Sequence, residues 1–259
     1  MDFARHLRSD SQRFREVLGS LAPDAPVPGC PGWDAAELLW HLTEVQMFWG
    51  LIVEHGLSDP EVAEGMKTGR PDSYGDLLAA SGSESSRLVR VLEGKVDDAP
   101  VWTWSDDHTV GFVRRRQAHE ALIHRVDAEQ GAGLTPEVEP ELAADGVDEL
   151  LTVFVGGIPE WADFEPDGSR LQVDATDERR SWRLAFGRMR GTSPTSGTDY
   201  DLPAVEVVDD VTAPDTLIAG TAADVDLWLW GRAPIEPLIV TGDPDLARRL
   251  RALVAEGTQ

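Results

Sequence analysis

Cysteine is almost absent from this chain of 259 residues, in which Cys30 is the single example. One cysteine cannot form an internal disulfide, and it cannot supply the several thiolates of a cysteine-based zinc finger. Any metal ion bound by this chain must therefore be held by imidazole and carboxylate groups. Cys30 could act as a nucleophile, but it lies in a loop rich in proline and glycine, where we expect a packing role.

Basic residues are also few, with 23 Lys and Arg against 47 Asp and Glu and a formal net charge of −24. Binding to the phosphates of nucleic acid or of anionic membranes requires a basic surface, so this balance excludes nucleic acid as a partner. A local group of arginines, Arg114 to Arg116, could still hold a small anion.

Long apolar runs are missing too, because no stretch approaches the roughly 18 to 20 apolar residues that cross a bilayer. The N-terminal segment MDFARHLRSDSQRF is charged from its start and lacks the apolar centre of a signal peptide. We therefore expect a cytoplasmic protein with no membrane partner.

The first half of the chain is predicted to be helical. Apolar residues recur at helical spacing over residues 3–21, 34–56, 74–92 and 111–131. Asp34 and Glu37 form a capping-box pattern at the start of the second segment. Four helices in about 130 residues are typical of a four-helix bundle.

The second half has a different pattern, with short alternating segments between turns. A helix over residues 141–155 is followed by predicted strands at 170–176, 181–188 and 203–210. A helix at 221–232, a strand at 237–242 and a helix at 243–257 complete an α+β domain. The linker-like segment 131–140 separates two domains, which we place at residues 1–135 and 136–259.

A possible metal site lies in the fourth predicted helix. Glu120 and His124 are four residues apart, so both side chains share one helix face about 6 Å apart along the axis. His41, on the apolar face of the second helix, is the best third ligand. Two imidazoles and one carboxylate leave a fourth position open, as in catalytic zinc sites. The spacing also fits a solvated surface pair and a packed core histidine, so it leaves the question open.

Three segments resemble motifs of a known family. VPGCPGWDAAELLWHL and TWSDDHTVGFVRRRQAHEALIHRVDAE resemble the two N-terminal motifs of the mycothiol-dependent maleylpyruvate isomerase family, which belongs to the DinB-like bundle superfamily. LIAGTAADVDLWLWGR resembles the motif of that family's C-terminal domain, which is similar to sterol-carrier-type α+β folds. The resemblance covers most of the chain and implies a DinB-like four-helix bundle followed by a smaller α+β domain.

The resemblance also implies a function. His41, Glu120 and His124 match the zinc ligands of that family, and Arg232 matches an arginine that assists its reaction. The resemblance implies that zinc activates mycothiol for isomerisation of, or transfer to, a small electrophile. Arg232 could instead complement the dipole at a helix C-terminus. Arg116 is a second candidate contact for an anionic group of the thiol or substrate, although an exposed ion pair is the simpler interpretation.

Two other functions remain open from the sequence. A metal site with an open position also suits a hydrolase that uses zinc-bound hydroxide. A different class is a non-catalytic protein that binds a small ligand in a pocket of its C-terminal domain. The expected partners are a small thiol and an electrophilic substrate, and the chain is expected to be a monomer or a homodimer.

Overall fold

A computed structural model describes residues 1–209 and 211–258 of the chain. These residues form two compact units, Met1–Glu137 and a second unit that begins at Val138. The first unit is helical and the second combines helices with a mixed β-sheet, which agrees with the predicted fold class. Among the described residues, no helix combines the length and the apolar character needed to span a bilayer.

The first unit contains the four long helices that the sequence predicts, together with one short helix that it does not. The helices are α1 (Phe3–Leu18), α2 (Ala35–His55), α3 (Pro60–Met66), α4 (Tyr74–Glu93) and α5 (Val110–Gly131). The short helix α3 begins with a proline after the capping residue Asp59. With seven residues it is too short to show an apolar period.

Local signals set the bounds of α2, which carries part of the candidate site. The Asp34 side chain accepts a hydrogen bond from the backbone N–H of Glu37, and the Glu37 side chain accepts one from the backbone N–H of Asp34. At the other end, Gly56 adopts a left-handed conformation with φ of 59°, which glycine tolerates without a steric penalty. The predicted capping box is therefore present.

The apolar core of the first unit packs α2 against α5. Helix α1 packs along α5, and α2 packs against both α4 and α5. Buried apolar side chains fill the space between them, among them Trp49, Ile52, Val110 and Val113. This packing brings the N-terminal half of α2 next to the C-terminal half of α5.

The second unit is built around a five-stranded sheet. It begins with α6 (Pro140–Glu149), which continues as a π-helical turn (Leu150–Phe154). The remaining elements are β1 (Ala162–Ala175), β2 (Arg180–Thr192), β3 (Asp199–Val207), β4 (Thr216–Gly220), α7 (Ala222–Leu229), β5 (Ile239–Gly242) and α8 (Pro244–Gly257). The strand order is β3-β2-β1-β4-β5, and every neighbouring pair is antiparallel except β1 and β4.

The strands differ from their predicted bounds. β1 and β2 are longer than predicted because residues 162–169 and 189–192, at the end of this strand pair away from its connecting turn, are not buried, so burial no longer marks the strand. β3 begins at Asp199, and the last residue of the predicted strand, Asp210, lies outside the described residues. β4 was not predicted, because five residues, TLIAG, carry too little pattern to separate a buried strand from the start of the next helix.

Candidate metal centre

Three side chains from two helices converge in the first unit. His41 comes from α2, while Glu120 and His124 come from α5. Nε2 of His41 lies 3.4 Å from Oε1 of Glu120, and Nε2 of His124 lies 3.2 Å from the same oxygen. One donor atom from each residue falls within 4.8 Å of the other two. The structure thus brings together the three residues that the sequence selected.

The separations between these atoms suit a tetrahedral metal ion. Nitrogen and oxygen ligands at zinc's usual bond lengths, arranged tetrahedrally, lie about 3.3 Å apart. The two contacts of the imidazoles with Oε1 of Glu120, 3.4 and 3.2 Å, are close to that edge length. A donor set of two imidazoles and one carboxylate is also one that zinc accepts in catalytic sites. The residues present therefore fit the metal that the family resemblance implies.

The candidate site is open on one side. The His41 side chain is 34% exposed, Glu120 is 20% exposed and His124 is 11% exposed. The exposed fraction thus falls from His41 on α2 to His124 on α5. A ligand from solution could approach past His41, which a fully enclosed structural site would not allow.

Glu120 also pairs with an arginine of its own helix. Nη2 of Arg116, one turn earlier on α5, lies 3.1 Å from Oε2 of Glu120. Burial alone would raise the pKa of the Glu120 carboxyl, but contacts with His124 and His41 and the charge of Arg116 hold that pKa well below its usual range. Glu120 is therefore an anion with one oxygen directed to the imidazoles and the other to Arg116.

The second ring nitrogen of His124 faces another carboxylate. Nδ1 of His124 lies 3.0 Å from Oδ2 of Asp127, and the thiol of Cys30 donates to the same oxygen at 3.3 Å. Burial would lower the pKa of the His124 imidazole, but hydrogen bonding with Asp127, Cys30 and Glu120 raises that pKa well above its usual value. In the metal-free protein, His124 is therefore protonated near neutral pH.

The loop before α2 brings Cys30 and Trp33 to this region. The loop is closed by hydrogen bonds from the N–H of Cys30 to the carbonyl of Val27 and from the N–H of Trp33 to the carbonyl of Cys30. Gly32 provides the positive φ of 89° that the turn requires. The Trp33 ring lies 4.8 Å from the His41 ring and 6.5 Å from the His124 ring, measured between centroids. Trp33 therefore forms an apolar wall beside the two imidazoles.

The other predicted site residues have different surroundings. Arg116 forms the ion pair expected of it, but it is buried, with 4% of its surface exposed, rather than exposed as the sequence suggested. Arg232 belongs to the second unit, where its Nη1 donates to the carbonyl of Trp230 at 2.7 Å. Its role toward a metal or substrate stays a prediction. His119, next to Glu120 in the chain, contacts Phe3 edge-on, as expected for a residue on another helix face.

Sequence reasoning missed Asp127. It is fully buried and contacts a candidate ligand, but the chain contains 47 acidic residues and nothing in its composition distinguishes this one. Its position three residues after His124, on a neighbouring part of the helix surface, is the one signal that could have identified it. Cys30 was assigned a packing role, and its thiol in fact takes part in a polar contact.

Comparisons with known proteins agree with this architecture. The family model described as mycothiol maleylpyruvate isomerase N-terminal domain matches residues 4–129, and the MDMPI C-terminal domain matches residues 141–249. No curated protein matches this chain at a significant level.

Two solved structures share the fold. One is a mutant of mycothiol-dependent maleylpyruvate isomerase, with a TM-score of 0.56, 12% identity, and coverage of 92% of this chain and 91% of that chain. The other is mycothiol-dependent maleylpyruvate isomerase itself, with a TM-score of 0.54, 14% identity and the same coverage. Both matches show a shared fold. From the two domain matches and the shared fold, the chain belongs to the mycothiol-dependent maleylpyruvate isomerase family.

Proposed function

We propose that this chain is a zinc-dependent enzyme that uses a low-molecular-weight thiol, mycothiol, to isomerise a small electrophile or to transfer the thiol to it. The observation that carries the proposal is the convergence of His41, Glu120 and His124 on one half-open site, in which both imidazoles lie at about a tetrahedral edge length from Oε1 of Glu120. Family membership supplies the class of thiol and the isomerase-like chemistry.

The three ligands would hold the ion and leave a position for the thiol. Bound zinc lowers the pKa of a thiol and keeps it as the nucleophilic thiolate near neutral pH. His41 and His124 are neutral ligands and Glu120 contributes one negative charge, so the ligand set leaves the ion with a net positive charge that favours thiolate. Arg116 binds the outer oxygen of Glu120 and keeps the carboxylate oriented toward the imidazoles.

The surroundings of the ligands suit a small organic thiol. The Trp33 ring excludes water from one side of the two imidazoles, which strengthens electrostatic interactions at the site. His41, the most exposed ligand, marks the side from which thiol and electrophile would enter. These features would orient the sulfur while leaving the electrophile accessible.

Arg232 is our candidate for recognition of an anionic substrate group. Its guanidinium is planar and always charged, and it can bind a carboxylate through two parallel hydrogen bonds. In this role Arg232 would neutralise substrate charge and orient the reacting carbons, without itself taking a proton.

The test measures metal content and thiol binding in the same preparations. Zinc per chain is determined by mass spectrometry on protein purified without an affinity metal, for the wild type, Glu120→Ala and His124→Ala. His119→Gln is the matched control, because His119 is a buried histidine of the same helix that contacts Phe3 instead of the site. Each protein is then titrated with mycothiol by calorimetry.

We expect about one zinc per chain in the wild type and in the control, and loss of zinc from both ligand variants. Mycothiol binding should require zinc. A wild-type protein that is free of metal and cannot be reloaded with zinc would rule out the proposed function. Zinc binding together with catalysis that proceeds without any thiol would point to a hydrolase instead.

A further inference from the structure

Asp127 is a buried carboxylate in contact with the candidate ligand His124, and it has no role in the chemistry proposed above. It lies on α5, three residues after His124, and its side chain is completely buried. Its Oδ2 is 3.0 Å from Nδ1 of His124 and also accepts the hydrogen bond from the Cys30 thiol at 3.3 Å. A buried carboxylate is costly to desolvate, so its contacts need a physical reason.

Each ring nitrogen of His124 lies beside a different carboxylate. Nε2 lies at the candidate metal site, 3.2 Å from Glu120, while Nδ1 faces Asp127. A neutral imidazole carries one proton, and that proton resides on the nitrogen next to the best acceptor. When a metal ion binds at Nε2, the one remaining proton of the neutral imidazole must lie on Nδ1, where Asp127 accepts it and the lone pair of Nε2 is directed to the metal.

We propose that Asp127 is a positioning residue, which fixes the tautomer and ring orientation of His124 so that Nε2 can bind the metal, and that the Cys30 thiol holds Asp127 in place. This inference rests on the proposed function, because it takes His124 as a metal ligand. A carboxylate on the distal nitrogen of a histidine ligand is a general device for orienting the ring and making the ligand more basic.

An alternative interpretation is a separate metal site formed by Cys30, His124 and Asp127, since their donor atoms also lie close together. Their geometry argues against it. A metal there would require the Cys30 thiol and Nδ1 of His124 to give up their hydrogen bonds with Oδ2 of Asp127, at 3.3 and 3.0 Å, and the thiol to lose its proton beside a buried carboxylate. Asp127 is also fully buried, which leaves no approach for a ligand from solution.

The entry loop explains why a cysteine suits this position. The loop turn that places Trp33 against the imidazoles also places Cys30 over Asp127. A thiol is a weak donor with an apolar body, so it can hold the carboxylate in a half-buried setting without competing strongly for its charge. Serine would keep the donor, whereas alanine would remove it.

The experiment compares zinc dissociation constants, measured by chelator competition, for the full-length wild type, Asp127→Asn, Asp127→Ala, Cys30→Ser and Cys30→Ala. Glu129→Gln is the matched control, because it neutralises another buried carboxylate of α5, which pairs with Arg13 and Arg125. Circular dichroism of the metal-free proteins establishes which variants are folded. Asp127→Asn and Cys30→Ser preserve shape and carry the test if either alanine variant does not fold.

Loss of this kind of outer contact typically weakens metal affinity by about 10 to 100-fold. We expect that range for both Asp127 variants, a smaller loss for Cys30→Ala, and an affinity near that of the wild type for Cys30→Ser and Glu129→Gln. A purely structural role for Asp127 would instead weaken folding with zinc affinity unchanged.

A spectroscopic readout reports on the tautomer itself. In zinc-loaded protein labelled with nitrogen-15 at histidine, His124 should show a slowly exchanging proton on Nδ1 and a metal-bound Nε2. In Asp127→Ala the Nδ1 proton should exchange rapidly with solvent.

The outcomes separate the two proposals. A wild type that binds no zinc overturns the proposed function and this inference together. A wild type that binds zinc, with Asp127→Asn binding equally well and the Nδ1 proton unchanged in Asp127→Ala, overturns this inference alone. His41→Ala is measured in the same way. Complete loss of zinc from Cys30→Ala with full retention by His41→Ala would also overturn this inference, by showing that Cys30, His124 and Asp127 form the metal site.

Discussion

Replacing Glu120 with glutamine tests the centre of the proposed site with the smallest change of shape. Oε1 of Glu120 contacts both imidazoles, at 3.4 and 3.2 Å. The amide keeps a neutral oxygen but removes the negative charge that partly neutralises the ion. It also loses the ion pair with Arg116, because the amide cannot present anionic oxygens to both the imidazoles and the guanidinium.

The expected magnitude follows from these contacts. Loss of an outer partner of a metal ligand already costs about 10 to 100-fold in affinity, so loss of a ligand's charge should cost at least about 100-fold, or about 2.7 kcal/mol. Loss of the charged hydrogen bonds to Arg116 and the imidazoles should also lower the unfolding free energy of the metal-free protein by about 1–3 kcal/mol. The two effects are measured separately.

The assay is chelator competition for zinc at pH 7.5, together with urea unfolding of the same proteins in excess chelator. Glu129→Gln is the control for neutralising a buried carboxylate on α5 away from the three ligands. We expect a lower unfolding free energy in both variants, and weaker zinc binding in Glu120→Gln alone. Zinc affinity of Glu120→Gln within about threefold of the wild type would refute the assignment of Glu120 as a ligand.

Four further results are expected. Because the pKa of His124 is raised in the metal-free protein, zinc must displace a proton from its imidazole, and zinc affinity should rise by about tenfold per pH unit between pH 6 and 7. Calorimetry in two buffers should detect the released proton, and a zinc affinity that does not change with pH would contradict this. The same raised pKa stabilises the metal-free fold below about pH 6.5, and urea unfolding should show this contribution disappearing as the pH rises through the folded-state pKa. Arg232→Lys should lower the turnover of an anionic substrate, measured by steady-state kinetics, and leave zinc affinity unchanged. Unchanged turnover would show that Arg232 takes no part in the reaction. Phe186→Ala removes a fully buried ring from the core of the second unit, so the unfolding free energy in urea should fall by about 3–5 kcal/mol while zinc content stays unchanged. A loss below about 1 kcal/mol would contradict this, by showing that the core closes over the space that the ring leaves.

Local sequence was sufficient to predict the long helices and to pair two of the three candidate ligands. The capping box at Asp34 and the apolar periodicity of α2 and α5 depend on neighbouring residues, so they could be read directly. The pairing of Glu120 with His124 follows from helix geometry alone, because residues four apart lie on one face of any α-helix. The exposed ends of β1 and β2 and the short strand β4 could not be predicted in this way, because exposure and shortness remove the periodic pattern.

The rest of the site depended on how the helices pack. His41 is 79 residues from Glu120 in the chain, and only the packing of α2 against α5 places the two 3.4 Å apart. The sequence could nominate His41 from its position on an apolar face, but it could not supply a distance. The burial of Arg116 was likewise invisible, because a residue in a basic run looks exposed until a neighbouring helix covers it.

What the sequence determined by itself was therefore what lies within a few residues along the chain: the bounds of the long helices and the shared face of Glu120 and His124. The tertiary structure alone decided which distant side chains meet there, namely His41, the Trp33 wall and the contact of Cys30 with Asp127. The physical reason is that backbone hydrogen bonds and capping are local, whereas the distances between a loop and two helices are set by the packing of the whole core.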